Sequence, residues 1–104
     1  MLLPDVNVFV YAQREDLPSH IRAKAWLEAA LNGDEPVGLF APTLASFLRI
    51  TTNRRIFKIP TPLPVALLFV EATLAALAME YGCELISSDE GFARFPDLKW
   101  RKPF

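Results

Sequence analysis

The chain has 104 residues, of which 52% are apolar and 22% are charged, so it has room for one domain with one core and lacks the composition of a disordered protein. Its 11 basic and 12 acidic residues give a net charge of −1, which excludes a general positive field able to hold a polyanion. Any contact with nucleic acid must come from a local cluster of cations.

The compartment is indicated by the cysteine content and by the first ten residues. Cys83 has no partner for an internal disulfide, which fits a reducing compartment, and we expect its thiol to be packed in the core. Residues 1–10 have no basic region and carry Pro4 and Asp5 inside the apolar stretch, so we expect no signal peptide. These features predict a cytoplasmic protein.

Strand and helix signals alternate along the chain, with prolines and glycines at the boundaries. The predicted elements are strand 2–3, helix 6–12, a helix that ends before Asn32, strand 37–40, a helix from Pro42, helix 63–79 ended by Gly82, strand 84–87, a helical turn over 92–95 and strand 98–101. This order predicts a single α/β domain over residues 1–104, with a mostly parallel sheet flanked by helices.

The segment Leu63–Met79 is unusually apolar for a helix that carries a carboxylate. It is shorter than the ~20 residues that a bilayer requires, so we expect a buried core helix and no membrane. A helical wheel places Glu71 on the side of Leu67, Leu68, Leu74, Ala75 and Ala78, with Thr73 on the opposite side. A carboxylate on an apolar face must be paired, protonated or bound to a cation, unless it reaches solvent at an edge.

Three carboxylates are predicted to meet at one edge of the sheet. Asp5 and Asp89 each follow a predicted strand, at the edge where parallel sheets bind ligands, and Glu71 is placed to reach the same edge from its helix. Carboxylate oxygens are the ligands that Mg²⁺ and Mn²⁺ prefer. Taken singly, Asp5 and Asp89 are equally well placed as helix caps.

Other polar residues near these acids have two interpretations each. Asn7, Ser87 and Ser88 are placed either to orient ligands and waters or to form turns. A cluster of cations, Arg49, Arg54, Arg55 and Lys58, could contact phosphates without reading bases or could be a solvated loop. No dinucleotide, P-loop, hydrolase-elbow or paired-cysteine motif is present.

Four stretches resemble the PIN-domain ribonucleases, and in particular the VapC-type toxins of bacterial toxin–antitoxin pairs. They are LLPDVNVFVYA at residues 2–12, HIRAKAWLE at 20–28, TLASFLRITTNRRIF at 43–57, and LAALAMEYGCELISSDEGFARFPDLKWRKPF at 74–104. The resemblance implies a PIN-like fold. It also implies an endoribonuclease that hydrolyses RNA with Mg²⁺ or Mn²⁺ and is bound by a cognate antitoxin protein.

The resemblance assigns roles to the acids residue by residue. It makes Asp5 the first metal ligand and Asp89 the late acid of the ISSDEGF turn, with Asn7 and Ser87 supporting them. Glu71 takes the place of an aspartate that stands three residues before the leucine of LAALA.

Two departures from the family pattern concern the middle of the chain. Ser46 stands where the family often has a glutamate, and some tens of residues before Glu71 are missing. Loss of a helix and a strand would fuse two helices into Leu63–Met79 and leave apolar surface uncovered. This predicts a homodimer, with exchange of the fused helix between protomers as one route.

The same departures leave a second function open. A degenerate PIN-like module would keep the fold without catalysis and bind a protein partner, such as an antitoxin peptide in an apolar groove. A structural α/β dimer with helix-capping aspartates is the third alternative.

Overall fold

A computed structural model describes all residues, 1–104, and the chain divides into two compact units, Met1–Phe69 and Val70–Phe104. The elements in chain order are α1 (Val6–Gln13), α2 (His20–Leu31), α3 (Ala41–Thr51), α4 (Leu63–Glu80), β1 (Leu85–Ile86), a 3₁₀ helix (Glu90–Arg94) and β2 (Trp100–Arg101). The predicted α/β class is confirmed, with four α-helices and a small parallel sheet. The prediction that the chain forms one domain stays a prediction.

The first unit is built around α1, which packs against α2 and α3. Phe9 of α1 and Phe47 of α3 are almost fully buried, and each stabilises the unit by about 1.5–3 kcal/mol through burial. The Phe47 and Phe69 rings lie with their centroids 5.0 Å apart. The predicted helices of this unit are therefore confirmed, within one residue at most ends.

Strand pairing in the first unit is limited to one parallel bridge between Leu2 and Val37. The N–H of Leu2 donates to the Pro36 carbonyl at 2.7 Å, and the N–H of Gly38 donates to the Leu2 carbonyl at 2.8 Å. The predicted strand 37–40 is thus mostly irregular, because the residues after Gly38 lead directly into α3. The bridge still fixes the short segment that carries Asp5.

Helix α4 is 18 residues long and only partly buried. Ala66, Ala75 and Ala78 are buried, but only 28% of the 18 residues of the helix are buried, so the expectation of a buried core helix is wrong. The wheel assignment also fails in part, because Leu67 and Leu68 are about 40% exposed while Thr73 is buried. With apolar residues on all sides, the sequence of α4 does not identify which side packs.

By length and composition alone, α4 is also long and apolar enough to cross a membrane, contrary to the expectation that it is too short. This is weak support for a membrane span, because core helices of soluble proteins share these properties.

The C-terminus of α4 has a defined stop signal. Gly82 adopts a positive φ of 63°, the N–H of Gly82 donates to the Met79 carbonyl, and the N–H of Cys83 donates to the Ala78 carbonyl at 2.8 Å. These two bonds form a Schellman motif. The motif requires a positive φ at its left-handed residue, and glycine is favoured there because it has no Cβ. The predicted stop at Gly82 is confirmed, whereas Cys83 is exposed and the predicted buried thiol is wrong.

The second unit places β1 beside β2 over a small apolar core. The two strands pair in parallel, with Leu85 opposite Trp100 and Ile86 opposite Arg101. The core of this unit consists of Ala75, Ala78, Phe92 and Leu98, with Leu74, Leu85, Phe95 and Trp100 packed against it. Each strand is shorter than predicted, so the mostly parallel sheet takes the form of this two-stranded pair and the separate bridge of the first unit.

Candidate active site

Glu71 and Asp89 form a pair of carboxylates in the second unit. Glu71 lies on α4 with its side chain 19% exposed, and its Oε2 atom is buried and accepts no hydrogen bond. Arg94 Nη1 lies 3.2 Å from this oxygen without the alignment of a hydrogen bond. A buried carboxylate oxygen that lacks a donor is a costly feature unless a cation satisfies it.

Burial raises the pKa of Glu71 above its ordinary value, and the adjacent negative charge of Asp89 raises it further. The positive charge of Arg94 lowers the pKa of Glu71, and a hydrogen bond that the protonated Glu71 makes to Asp89 raises it. The net direction is upward. Two adjacent carboxylates repel each other when both are ionised, and a divalent cation bound between them relieves this repulsion.

Gly91 keeps the space between these groups open. A Cβ at this position would lie 3.0 Å from Asp89 Oδ1, 3.0 Å from Arg94 Nη2 and 3.6 Å from Glu71 Oε2. Any other residue would therefore crowd Asp89 Oδ1 and the Arg94 guanidinium, and would reach van der Waals contact with Glu71 Oε2. The residues present fit a divalent cation, because they combine an unsatisfied buried oxygen with a second carboxylate beside a space that Gly91 leaves free of a side chain of its own.

The local chain holds Asp89 at the carboxyl end of β1, as predicted. Asp89 caps the 3₁₀ helix by accepting from the Gly91 N–H at 2.8 Å, and Ser87 Oγ accepts from the Asp89 N–H at 3.0 Å. The Ser87 carbonyl accepts from Trp100 Nε1 at 2.9 Å, which ties the turn to β2. Ser88 is exposed. Within this unit no third His, Cys, Asp or Glu joins the pair in a group that could hold a metal ion.

Asp5 belongs to the first unit, where it is the N-cap of α1. The N–H of Val6 donates to Asp5 Oδ1 at 2.7 Å, and the side chain of Asp5 is exposed. Asn7, the second residue of α1, is exposed and lines an open cavity of about 470 Å³ together with Tyr11, Arg22 and Trp26. The capping interpretation of Asp5 is confirmed, and its role as a metal ligand stays a prediction.

The predicted cation cluster lies at the end of α3 and in the segment after it. Its members, Arg49, Arg54, Arg55 and Lys58, are all exposed and form no ion pair. Asn53 shapes the segment, because its Oδ1 accepts from the Arg55 N–H at 2.8 Å. Ser46, at the position where a glutamate was expected, accepts a hydrogen bond from Arg49 at 3.2 Å.

A buried arginine in the first unit was not identified from the sequence. Arg14 is 7% exposed, donates to both carboxylate oxygens of Asp16, to Thr61 Oγ1 and to the Ile59 carbonyl, and lies 3.8 Å from the centre of the Phe57 ring. The hydrogen bond from Arg14 lowers the pKa of Asp16. Arg94 and Gly91 were also missed, because ion pairs and close approaches between helices leave no periodic signal in a sequence.

Comparison with known proteins identifies the family. No family model matches the chain. Ribonuclease VapC33 of Mycobacterium tuberculosis is 33% identical over 99% of this chain and 98% of its own length. Ribonuclease VapC43 of the same species is 36% identical over 99% and 95%, and ribonuclease VapC25 is 34% identical over 99% of each. At this identity over nearly the whole of both chains, the protein belongs to the VapC family of PIN-domain ribonucleases.

Proposed function

We propose that the protein is a divalent-metal-dependent endoribonuclease and the toxin of a toxin–antitoxin pair. The observation that carries the proposal is the buried Glu71 Oε2, which lacks a hydrogen-bond donor and lies in a carboxylate pair with Asp89. Membership of a family whose members are named ribonucleases supports RNA as the substrate. It also supports a cognate antitoxin as protein partner and a cytoplasmic location.

The metal ligands in this proposal are Asp5, Glu71 and Asp89, holding Mg²⁺ or Mn²⁺. When bound, such an ion activates water and stabilises charge on the scissile phosphate. Ser87 fixes the turn that carries Asp89, while Asn7 and Ser88 are proposed to orient ligands or waters. No side-chain nucleophile is required.

RNA binding is assigned to the cation cluster of Arg49, Arg54, Arg55 and Lys58. Their exposure and their lack of carboxylate partners support phosphate contacts, which hold a polyanion without selecting its sequence. A local cluster of this kind is needed because the net charge of the chain is −1.

We also propose that the middle of the domain is shortened and that the chain forms a homodimer. The alignments with relatives run over 140 positions, more than the 104 residues of this chain, so they leave gaps in it. The exposed Leu67 and Leu68 of α4 support an apolar contact with a second copy, with helix exchange as one form of it. Light scattering after size-exclusion chromatography tests this, and a monomer at all micromolar concentrations would contradict it.

The nuclease activity is tested by RNA cleavage with Mg²⁺ or Mn²⁺ for the wild type and Asp5→Asn. Asparagine caps a helix as well as aspartate does, so this variant keeps the α1 cap and removes only the charge. The matched control is Asp34→Asn, an exposed acid in the same unit. We expect cleavage by the wild type and the control and none by Asp5→Asn.

Equal cleavage by the wild type and Asp5→Asn would exclude Asp5 from the site. Absence of cleavage in all three proteins, with no Mn²⁺ binding by calorimetry, would instead favour the non-catalytic module that binds a protein partner.

A further inference from the structure

We infer that Arg94 is a built-in competitor of the metal, which contacts Glu71 in the metal-free protein and must leave this position when a divalent cation binds. The inference rests on the proposed function, because it takes Glu71 and Asp89 as metal ligands. Its structural basis is that one positively charged side chain approaches the same unsatisfied oxygen that a cation would use.

The position of Arg94 overlaps the space beside both carboxylates. Arg94 Nη1 lies 3.2 Å from Glu71 Oε2. Arg94 Nη2 lies 3.0 Å from the point where a Cβ of Gly91 would stand, and Asp89 Oδ1 lies at the same distance from this point. The guanidinium group therefore stands within a few ångströms of both acids, in the space that Gly91 leaves free.

The ion pair between Arg94 and Glu71 is weak enough for a metal ion to replace the arginine. Its side chain is 48% exposed and makes an ion pair with Glu71 without a hydrogen bond to it. Arg14, by contrast, is buried and held by several hydrogen bonds, and Arg101 donates a hydrogen bond to Glu84. A half-exposed ion pair is weak because solvent screens it and because holding a long side chain in place costs conformational entropy.

A divalent cation and the Arg94 guanidinium cannot both contact Glu71 Oε2 without strong electrostatic repulsion between them. Both are positively charged, so at contact distance from the same oxygen they repel each other, and this repulsion is only partly screened at a half-buried site. The carboxylate pair carries up to two negative charges, which a divalent ion balances fully and Arg94 only in part. Metal binding therefore includes the free energy of moving Arg94 away.

The test is calorimetric titration of the metal-free protein with Mn²⁺ alone. We expect Arg94→Gln to bind Mn²⁺ about tenfold more tightly than the wild type, equivalent to about 1.4 kcal/mol of repulsion removed. Arg94→Lys retains the positive charge and should bind close to the wild-type affinity. Arg101→Gln, which removes an exposed arginine that pairs with Glu84 elsewhere in the same unit, is the matched control and should not change the affinity.

The outcomes separate this inference from the proposed function. Mn²⁺ binding by the wild type with equal or weaker binding by Arg94→Gln would overturn the competition and leave the metal site in place. No binding by either protein would overturn the metal site and the competition together. Binding of Mn²⁺ by Arg94→Gln but not by the wild type would support the competition, because it would show that Arg94 prevents metal binding.

Discussion

Replacing Arg14 with methionine should destabilise the first unit strongly. Methionine matches much of the arginine volume but donates no hydrogen bonds and carries no charge. The change leaves Thr61 Oγ1 and the Ile59 carbonyl without their present donor, and removes the cation from the face of the Phe57 ring. These interactions link the end of α1 to the segment that precedes α4.

The expected loss follows from the burial of the groups concerned. A hydrogen bond to a charged group contributes about 1.5 kcal/mol or more, and the cation–π contact adds about 0.5–1 kcal/mol. The ion pair with Asp16 adds little, since that carboxylate is more than half exposed. With two such hydrogen bonds lost, we expect a total loss of about 3.5–4 kcal/mol in the free energy of unfolding, which lowers the Tm by roughly 15–30 °C in a chain of this size.

Urea unfolding followed by circular dichroism measures this loss, with Arg22→Met as the control because Arg22 is exposed and forms no ion pair. The loss should shrink slightly in acid, because the small contribution of the Arg14–Asp16 pair disappears there. Arg14 lowers the pKa of Asp16, so the contribution of this pair is present above the unfolded value of 3.8 and is lost as the pH falls through the lower folded value. A variant within 1 kcal/mol of the wild type at pH 7 would refute this account of Arg14.

Three further predictions concern single residues of the second unit and its helix. Asp89→Asn should lose RNA cleavage with little change in Tm, because asparagine keeps the cap on the Gly91 N–H, whereas Asp89→Ala should lose cleavage and also about 1 kcal/mol in the free energy of unfolding. RNA cleavage by Asp89→Asn would exclude Asp89 as a metal ligand. Because the folded pKa of Glu71 is raised, its contribution to stability is full below the unfolded value of 4.5 and is lost as the pH rises through the folded value. Melting curves in chelator from pH 4 to 8 should therefore show Glu71→Gln gaining stability relative to the wild type, and parallel curves would contradict this. Gly82→Ala should cost about 1–2 kcal/mol in urea unfolding, since alanine is disfavoured at φ 63°, and an unchanged midpoint would show that the Schellman turn relaxes.

Local signals in the sequence determined most of the helices and the positions of two candidate ligands. Asp5 and Asp89 follow strand-like segments and precede helical ones, so their capping geometry is set by a few neighbouring residues. Gly82 likewise marks the end of α4, because a glycine after a long apolar helix meets the steric requirement of positive φ. The four stretches that resemble VapC toxins indicated the family, which the similarity to known ribonucleases over 99% of the chain confirmed.

Strand lengths and the buried side of α4 depended on contacts that no local pattern encodes. The predicted strands shortened to a bridge and a two-residue pair, because strand extent is fixed by partners distant in sequence. On α4, apolar residues occur all round the helix, so only packing decided that Thr73 is buried and Leu67 exposed.

The electrostatics of the candidate site were likewise a tertiary result. The sequence alone determined that Glu71 is a carboxylate in an apolar helix and must find a cation, a proton or solvent. The tertiary structure decided that Arg94 approaches it, that Asp89 lies beside it and that Gly91 leaves space between them. The physical reason is that burial and charge proximity are properties of atoms brought together by folding, whereas caps and helix ends are properties of consecutive residues.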